Sequence, residues 1–228
     1  MKGKKSDVLI PVRGYIFDID GTMVDSMKIH LKAWQKILER YGHHLSLKKI
    51  GEQAYGINEE IVKRLFGENL SKPEIEKISN EKESLFRESF NPQEDVIKGF
   101  IHFINELKKK NLPLVIGSAA PPENVDFFMG SLGIAQYFEG VVHEDDVTKG
   151  KPSPEVFLKA AEIIKIPIHE CVVFEDSPSG AEASAKAGSK TIAVLTTKSM
   201  GDFKDIPNIV EYIKDYTELL DDEVAESQ

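Results

Sequence analysis

Short apolar runs alternate along this chain with longer amphipathic stretches. The runs are GYIFD at 14–18, LPLVIGS at 112–118, EGVVHE at 139–144, ECVVFED at 170–176, KTIAVL at 190–195 and a weaker NIVEYI at 208–213. Each is strand-sized, rich in Val and Ile and largely without alternation, which is the pattern of strands buried on both faces. Between them, 96–110, 123–132, 154–165 and 178–187 carry helical periodicity. Strands alternating with helices of roughly 10–15 residues predict βαβ units, a parallel sheet and an α/β fold.

One stretch breaks the alternation. From 26 to 90 the helical pattern is uninterrupted by a strand. Met27, Leu31, Trp34, Leu38 and Tyr41 fall on one helical face, and Gly42 sits where that helix would stop. Residues 57–66 and 71–89 are also helical in pattern, with Ser71 and Glu74 spaced as a capping box and Asn91-Pro92 as the stop. Roughly 65 residues of helix is more than one crossover needs. The pattern predicts an inserted all-helical domain over 24–92, with the core built from 1–23 and 93–228.

Composition narrows the function. A chain of 228 residues has room for one such core plus an insert. Lys and Arg number 29 against 38 Asp and Glu, a net charge of −9. That balance excludes a domain-wide basic footprint, so nucleic acid is not the expected partner. Anions must then be held by local devices such as a metal ion or one lysine. A single Cys excludes a disulfide framework and fits a reducing, cytoplasmic setting. No apolar run approaches the ~18 residues of a membrane span, and the apolar part of MKGKKSDVLIPV is too short for a signal peptide.

The chemistry collects at strand ends. The first run leads into Asp18 and Asp20, two carboxylates two residues apart, followed by Gly21, which permits a tight turn. Open α/β sheets bind ligands at the C-terminal ends of their strands. One carboxylate there can serve as a nucleophile and a second as general acid and base. The second run delivers the hydroxyl of Ser118, the fourth delivers Glu175 and Asp176, and Gly150-Lys151-Pro152 places a lysine before the next helix. Crowded carboxylates call for a hard dication such as Mg²⁺, with Ser118 and Lys151 left for phosphoryl oxygens. This is an inventory for phosphoryl transfer.

These residues resemble the motifs of the haloacid dehalogenase superfamily, in the branch of β-phosphoglucomutase and small phosphosugar phosphatases. The motifs are Asp18-Ile19-Asp20-Gly21-Thr22, then Ser118, then Lys151 in Lys-Gly-Lys-Pro-Ser-Pro-Glu, then Glu175-Asp176-Ser177 with Gly180. The resemblance implies a Rossmann-like core with helices on both faces and a helical cap. It implies Asp18 as nucleophile, Asp20 as acid and base, and phosphate binding by Ser118 and Lys151. It also implies Mg²⁺ on the carboxylates of Asp18 and Asp176 and the backbone carbonyl of Asp20, with Glu175 in support. The substrate would be a small phosphorylated molecule, and the cap would close over the first step.

His30, with Asp25-Ser26, matches the segment that enters the cap, where a histidine often lies near substrate. Tyr55-Gly56-Ile57-Asn58-Glu59-Glu60 matches the cap loop facing the site. The arginine expected after this glycine is missing, and Asn58-Glu59 stands instead. Ala119-Ala120-Pro121-Pro122 likewise lacks the polar groups of the mutase pattern. Both departures favour a hydrolase over a β-phosphoglucomutase, which stays as the alternative, with Lys63 or Arg64 as its compensating cations. A dehalogenase would need neither metal nor a second acid, so Asp20 argues against it. A scaffold would tolerate lost motif residues, and none is lost. His43-His44 reads as a surface turn, 143–146 as an acidic loop, Cys171 as a buried inert thiol, and Asp221, Asp222 and Glu223 as a solvated tail. A monomer is expected.

Overall fold

The computed structural model describes residues 12–220; the basic N-terminal stretch and Asp221, Asp222 and Glu223 lie outside them. The chain divides into two compact units, one of residues up to Asp25 and from Val96 onward, the other Ser26–Asp95.

The first unit is a six-stranded parallel sheet. Its strands are β1 (Gly14–Phe17), β2 (Leu114–Gly117), β3 (Val141–Val142), β4 (Cys171–Glu175), β5 (Lys190–Val194) and β6 (Ile209–Ile213), in the spatial order β3-β2-β1-β4-β5-β6. Strand order reverses between β1 and β4, which makes their C-terminal ends the switch point where such sheets bind ligands. β1, β2 and β4 are buried along their whole length, as their unbroken apolar sequence requires. β6 is an edge strand and is only partly buried, which explains its weaker signal.

Alternate residues face opposite layers. Ile16, Val115 and Val173 pack with Val156, Phe157 and Ala160 of the helix Glu155–Ile164 and with Ala183 of the helix Pro178–Ala187. That layer lies so close that a Cβ on Gly14 would meet Ile164 at 2.7 Å. On the other face Phe17 stacks on its register partner Phe174, with ring centroids 4.6 Å apart. Phe100 and Phe103 of the helix Phe100–Lys109, together with Tyr216, close an aromatic cluster around that pair.

The second unit is helical throughout: α1 (Met27–Arg40), α2 (Leu47–Gly51), α3 (Asn58–Phe66), α4 (Lys72–Ser89) and α5 (Pro92–Asp95). Trp34, Ile37, Leu38, Ile50, Val62, Ile75 and Ile78 are among its core residues. The buried face of α1 is wider than the spacing predicts. Ile29, Ala33 and Ile37 are buried with Trp34 and Leu38, whereas Tyr41 is exposed, because α1 packs against both α2 and α4. α1 ends as expected, with Gly42 at φ +80° and the His43 N–H donating to Leu38 O. The Ser71 N–H donates to Glu74 at the start of α4. α2 and α5 are not evident in the sequence. α4 ends at Ser89 with Phe90 extended, and α5 arises because Asn91 begins a new turn, its Oδ1 accepting from the Gln93 N–H. No helix among the described residues is long and apolar enough to cross a membrane.

Candidate active site

The chain leaves β1 at Asp18 and turns sharply at Gly21, whose φ is +77°. Thr22 N–H and Met23 N–H both donate to Ile19 O, closing the turn. The chain leaves β4 through Glu175 and Asp176, and Ser177 caps the helix Pro178–Ala187 by accepting from the Gly180 N–H. The two acidic turns interlock. A Cβ on Gly21 would lie 2.1 Å from Asp176 Oδ2, and one on Gly180 would lie 1.8 Å from Glu175 Oε1. Both glycines are therefore needed for close approach, and Gly21 also for its backbone conformation.

Lys151 reaches into this space. Its Nζ donates to Asp18 Oδ1 at 2.6 Å and to Glu175 Oε1 at 2.5 Å, with the Phe157 ring centroid 4.9 Å away. The lysine loop is held from outside. Glu155 accepts from the Thr148 hydroxyl foremost, and from Thr148 N–H and Lys149 N–H, which pull its carboxyl down to about 2. Lys186 donates to Pro152 O. Glu175 has no idle oxygen, because Oε2 accepts from both Ser177 N–H and Ser177 hydroxyl. Ser118 is buried at the end of β2 and accepts from the Ala120 N–H. That leaves its own proton to donate elsewhere.

The electrostatics are those of an overcharged cluster. Asp18, Glu175 and Asp176 are each no more than 5% exposed and bring ligand oxygens within 4.8 Å of one another. Three carboxylates against the single ammonium of Lys151 leave a surplus of two negative charges when all are ionised. Burial foremost pushes Asp18 up to about 7, with repulsion from Glu175 and Asp20 adding to it and Lys151 opposing. Burial, then Glu175 and Asp18, raise Asp176 well above its usual range. Burial works against the charge on Lys151, but Asp18 and Glu175 outweigh it and its pKa is raised. A surplus of two charges among hard oxygen donors fits a divalent cation such as Mg²⁺.

Five of the residues singled out in the sequence thus belong to one neighbourhood: Asp18, Asp20, Lys151, Glu175 and Asp176. Ser118 ends β2, the strand next to β1. The sequence reading missed three supports. Thr196 hydroxyl donates to Gly21 O, and Thr197 hydroxyl donates to Asp176 Oδ2. Tyr216 hydroxyl donates to Thr22 O at 3.1 Å from beneath the turn. Burial, then Asp18 and Asp176, raise that phenol well above its ordinary value.

The helical unit holds its own polar cluster. His30 stacks on Phe86 at 3.9 Å, and its Nδ1 lies 2.7 Å from Lys82 Nζ. Lys82 is buried and pairs with Glu83 at 2.7 Å, and Glu83 accepts from Asn58 at 2.8 Å. His30 and Asn58 are therefore joined through Lys82 and Glu83. Glu59 is not part of this cluster; it is exposed and pairs with Lys63 at 2.5 Å. Lys82 was detectable, because Ile75, Ile78, Lys82 and Phe86 follow the spacing of one apolar stripe. His43 and His44 are exposed, and Glu144–Asp146 forms a short helical turn beside His143. Burial pushes the Cys171 thiol up to about 11.

The family model described as haloacid dehalogenase-like hydrolase matches residues 15–194. The fructose-1-phosphate phosphatase YqaB of Escherichia coli is 28% identical over 191 residues, spanning 79% of this chain and 95% of that protein. The beta-phosphoglucomutase of Bacillus subtilis is 28% identical over 192 residues, spanning 80% and 83%. The crystal structure of a HAD hydrolase, family IA, variant 3, from Entamoeba histolytica superposes with a TM-score of 0.83 at 25% identity, covering 93% of this chain and 97% of that one.

Proposed function

The chain belongs to the haloacid dehalogenase-like hydrolase family, and from that premise we propose that it is a Mg²⁺-dependent phosphatase of a small phosphorylated metabolite, with a sugar phosphate as the substrate class. The observation that carries this reading is Lys151 held between Asp18 and Glu175, with Asp176 alongside, at the switch point of the sheet. The relative named for fructose-1-phosphate hydrolysis supports the substrate class.

In this reading an oxygen of Asp18 attacks phosphorus in line and the bond to the leaving oxygen breaks, giving an aspartyl phosphate. Asp20 protonates the leaving oxygen and then takes a proton from the water that hydrolyses the intermediate. Ser118 and Lys151 hold phosphoryl oxygens, and Glu175 keeps Lys151 in place. Mg²⁺ would be held by the carboxylates of Asp18 and Asp176 and the carbonyl of Asp20, with Glu175 in support, and when bound it supplies charge neutralisation at the phosphoryl group. Choice of leaving group is assigned to the helical unit, with His30, Asn58 and Glu59 as its candidate residues.

The alternative, interconversion of β-glucose 1-phosphate and glucose 6-phosphate, needs a second phosphate site lined by cations. The two cations that follow Glu59 in the chain are already engaged. Lys63 holds Glu59, while Arg64 donates to the carbonyls of Gln53 and Tyr55 and lies over the Tyr55 ring at 4.0 Å. This supports hydrolysis. The test is a phosphate-release screen over sugar phosphates, nucleotides and pyrophosphate with Mg²⁺, run beside β-glucose 1-phosphate with a trace of the 1,6-bisphosphate. Phosphate release from at least one sugar phosphate is expected. Glucose 6-phosphate forming many turnovers ahead of phosphate overturns the reading.

A further inference from the structure

We propose that Thr197 is a positioning residue that presents Asp176 to the divalent cation through one oxygen only. The inference rests on the metal-dependent reading above and deepens it.

Thr197 lies just past β5, in a loop that none of the acidic motifs includes. Its Oγ1 is 2.5 Å from Asp176 Oδ2 and 3.3 Å from Asp176 O. A hydroxyl has one proton to give, and the short contact to the carboxylate takes it. Oδ2 is confined from the other side as well, since a Cβ on Gly21 would come within 2.1 Å of it. The neighbouring Thr196 hydroxyl donates to Gly21 O, so this one loop ties down both acidic turns. Oδ2 is thereby engaged by the hydroxyl and crowded by the Gly21 turn, and no hydrogen bond among the described residues engages Oδ1.

The consequence is a choice of coordination. Mg²⁺ demands near-ideal octahedral geometry, keeps several waters and takes few protein carboxylates. Ca²⁺ tolerates more ligands and accepts a carboxylate through both oxygens. A hydroxyl bonded to Oδ2 on one side, with the Gly21 turn close on the other, turns Oδ1 toward the ion, disfavours the two-oxygen mode and so favours the smaller ion. Outer partners of this kind orient a ligand without touching the metal.

The experiment is calorimetric titration of the EDTA-stripped protein with Mg²⁺ and separately with Ca²⁺, without substrate, for wild type, Thr197→Val, Thr197→Ser and Asp176→Asn. Thr197→Val, which keeps the shape and removes the donor, is expected to weaken Mg²⁺ binding by ~10–100-fold and Ca²⁺ binding by less. Thr197→Ser, which keeps the donor, should stay within about 3-fold of wild type for both ions, by the same reasoning. An unchanged Mg²⁺ affinity in Thr197→Val overturns the proposal, and so does an equal loss for both ions. If Thr197→Val does not fold, Thr197→Ala is judged by the same criteria. Asp176→Asn separates the two levels. Undiminished Mg²⁺ binding there defeats the metal reading itself. Weak binding there with an unaffected Thr197→Val defeats only the role of Thr197.

Discussion

Lys151 and Asp18 stand 133 positions apart in the chain and 2.6 Å apart in the fold. The contact joins the end of β1 to a loop held by Glu155 and Lys186. It places the ammonium where it offsets the buried carboxylate that the proposed mechanism uses as nucleophile.

If the proposed mechanism holds, Asp18→Asn should abolish phosphate release while leaving the fold intact, because it removes the oxygen assigned to the attack and little volume. A loss of at least ~10³-fold is expected, equivalent to about 4 kcal/mol of barrier. Phosphate release and thermal melting measured side by side check it. Retention of a tenth of wild-type activity with an unchanged melt would exclude Asp18 as the nucleophile.

Lys151→Met leaves Asp18 and Glu175 buried beside each other without their ammonium. Breaking a buried ion pair by removing one partner costs about 3–5 kcal/mol. Urea denaturation at pH 7.5 should show a loss of that order, and the deficit should shrink at pH 5, where the orphaned carboxyls take up protons. A loss below about 1 kcal/mol at pH 7.5, far under the buried-pair range, would mean that Lys151 is not a buried counter-ion.

Metal binding should be coupled to protons. Burial foremost raises Asp18 from 3.8 to about 7, and Asp176 is also raised. Between the unfolded and folded pKa of Asp18 the folded metal-free protein binds a proton that the unfolded chain has released. Stability from this source therefore falls as pH rises from about 4 to 7 and is lost above the folded pKa. Titrating Mg²⁺ at pH 6 in weak buffer should release protons, and Mg²⁺ affinity should be lower at pH 6 than at pH 8. A titration with no proton release would remove the carboxylates from the metal site.

Gly180→Ala sets two effects against each other. Exchanging Gly for Ala in a helix gains up to ~1 kcal/mol of propensity. Here the new methyl would lie 1.8 Å from Glu175 Oε1, and overpacking costs about 1–3 kcal/mol. The overlap should win, giving a lower melting temperature and a raised KM for phosphate substrates as Glu175 and Lys151 shift. A more stable, fully active variant would show that the turn yields freely.

The sheet was readable because its strands are unbroken apolar runs, and the acidic residues because they follow those runs directly. Less was readable where position depends on distant packing. Thr197 sits in Thr196-Thr197-Lys198-Ser199, which has the composition of any surface loop, and only the fold brings it to Asp176. α1 buries two flanks, so the simple stripe through Met27 and Tyr41 was too narrow. Glu175 read as one more acidic group, whereas its oxygens are taken up by Lys151 and Ser177.

The strand order also sets a timetable during synthesis. β1 leaves the ribosome early, yet one of its two partners, β4, begins with Cys171, which pairs with Gly14. At translation rates of ~5–20 residues per second that is a wait of roughly 10–30 s. Until then Tyr15, Ile16 and Phe17 form an apolar strand with one side unpaired, the kind of segment that nucleates aggregation. The charges of Arg13 and Asp18 stand at its two ends as gatekeepers. The nucleophile assigned to the reaction would thus also protect the nascent chain, and a fragment ending before β4 should accumulate as aggregate rather than as a partial enzyme.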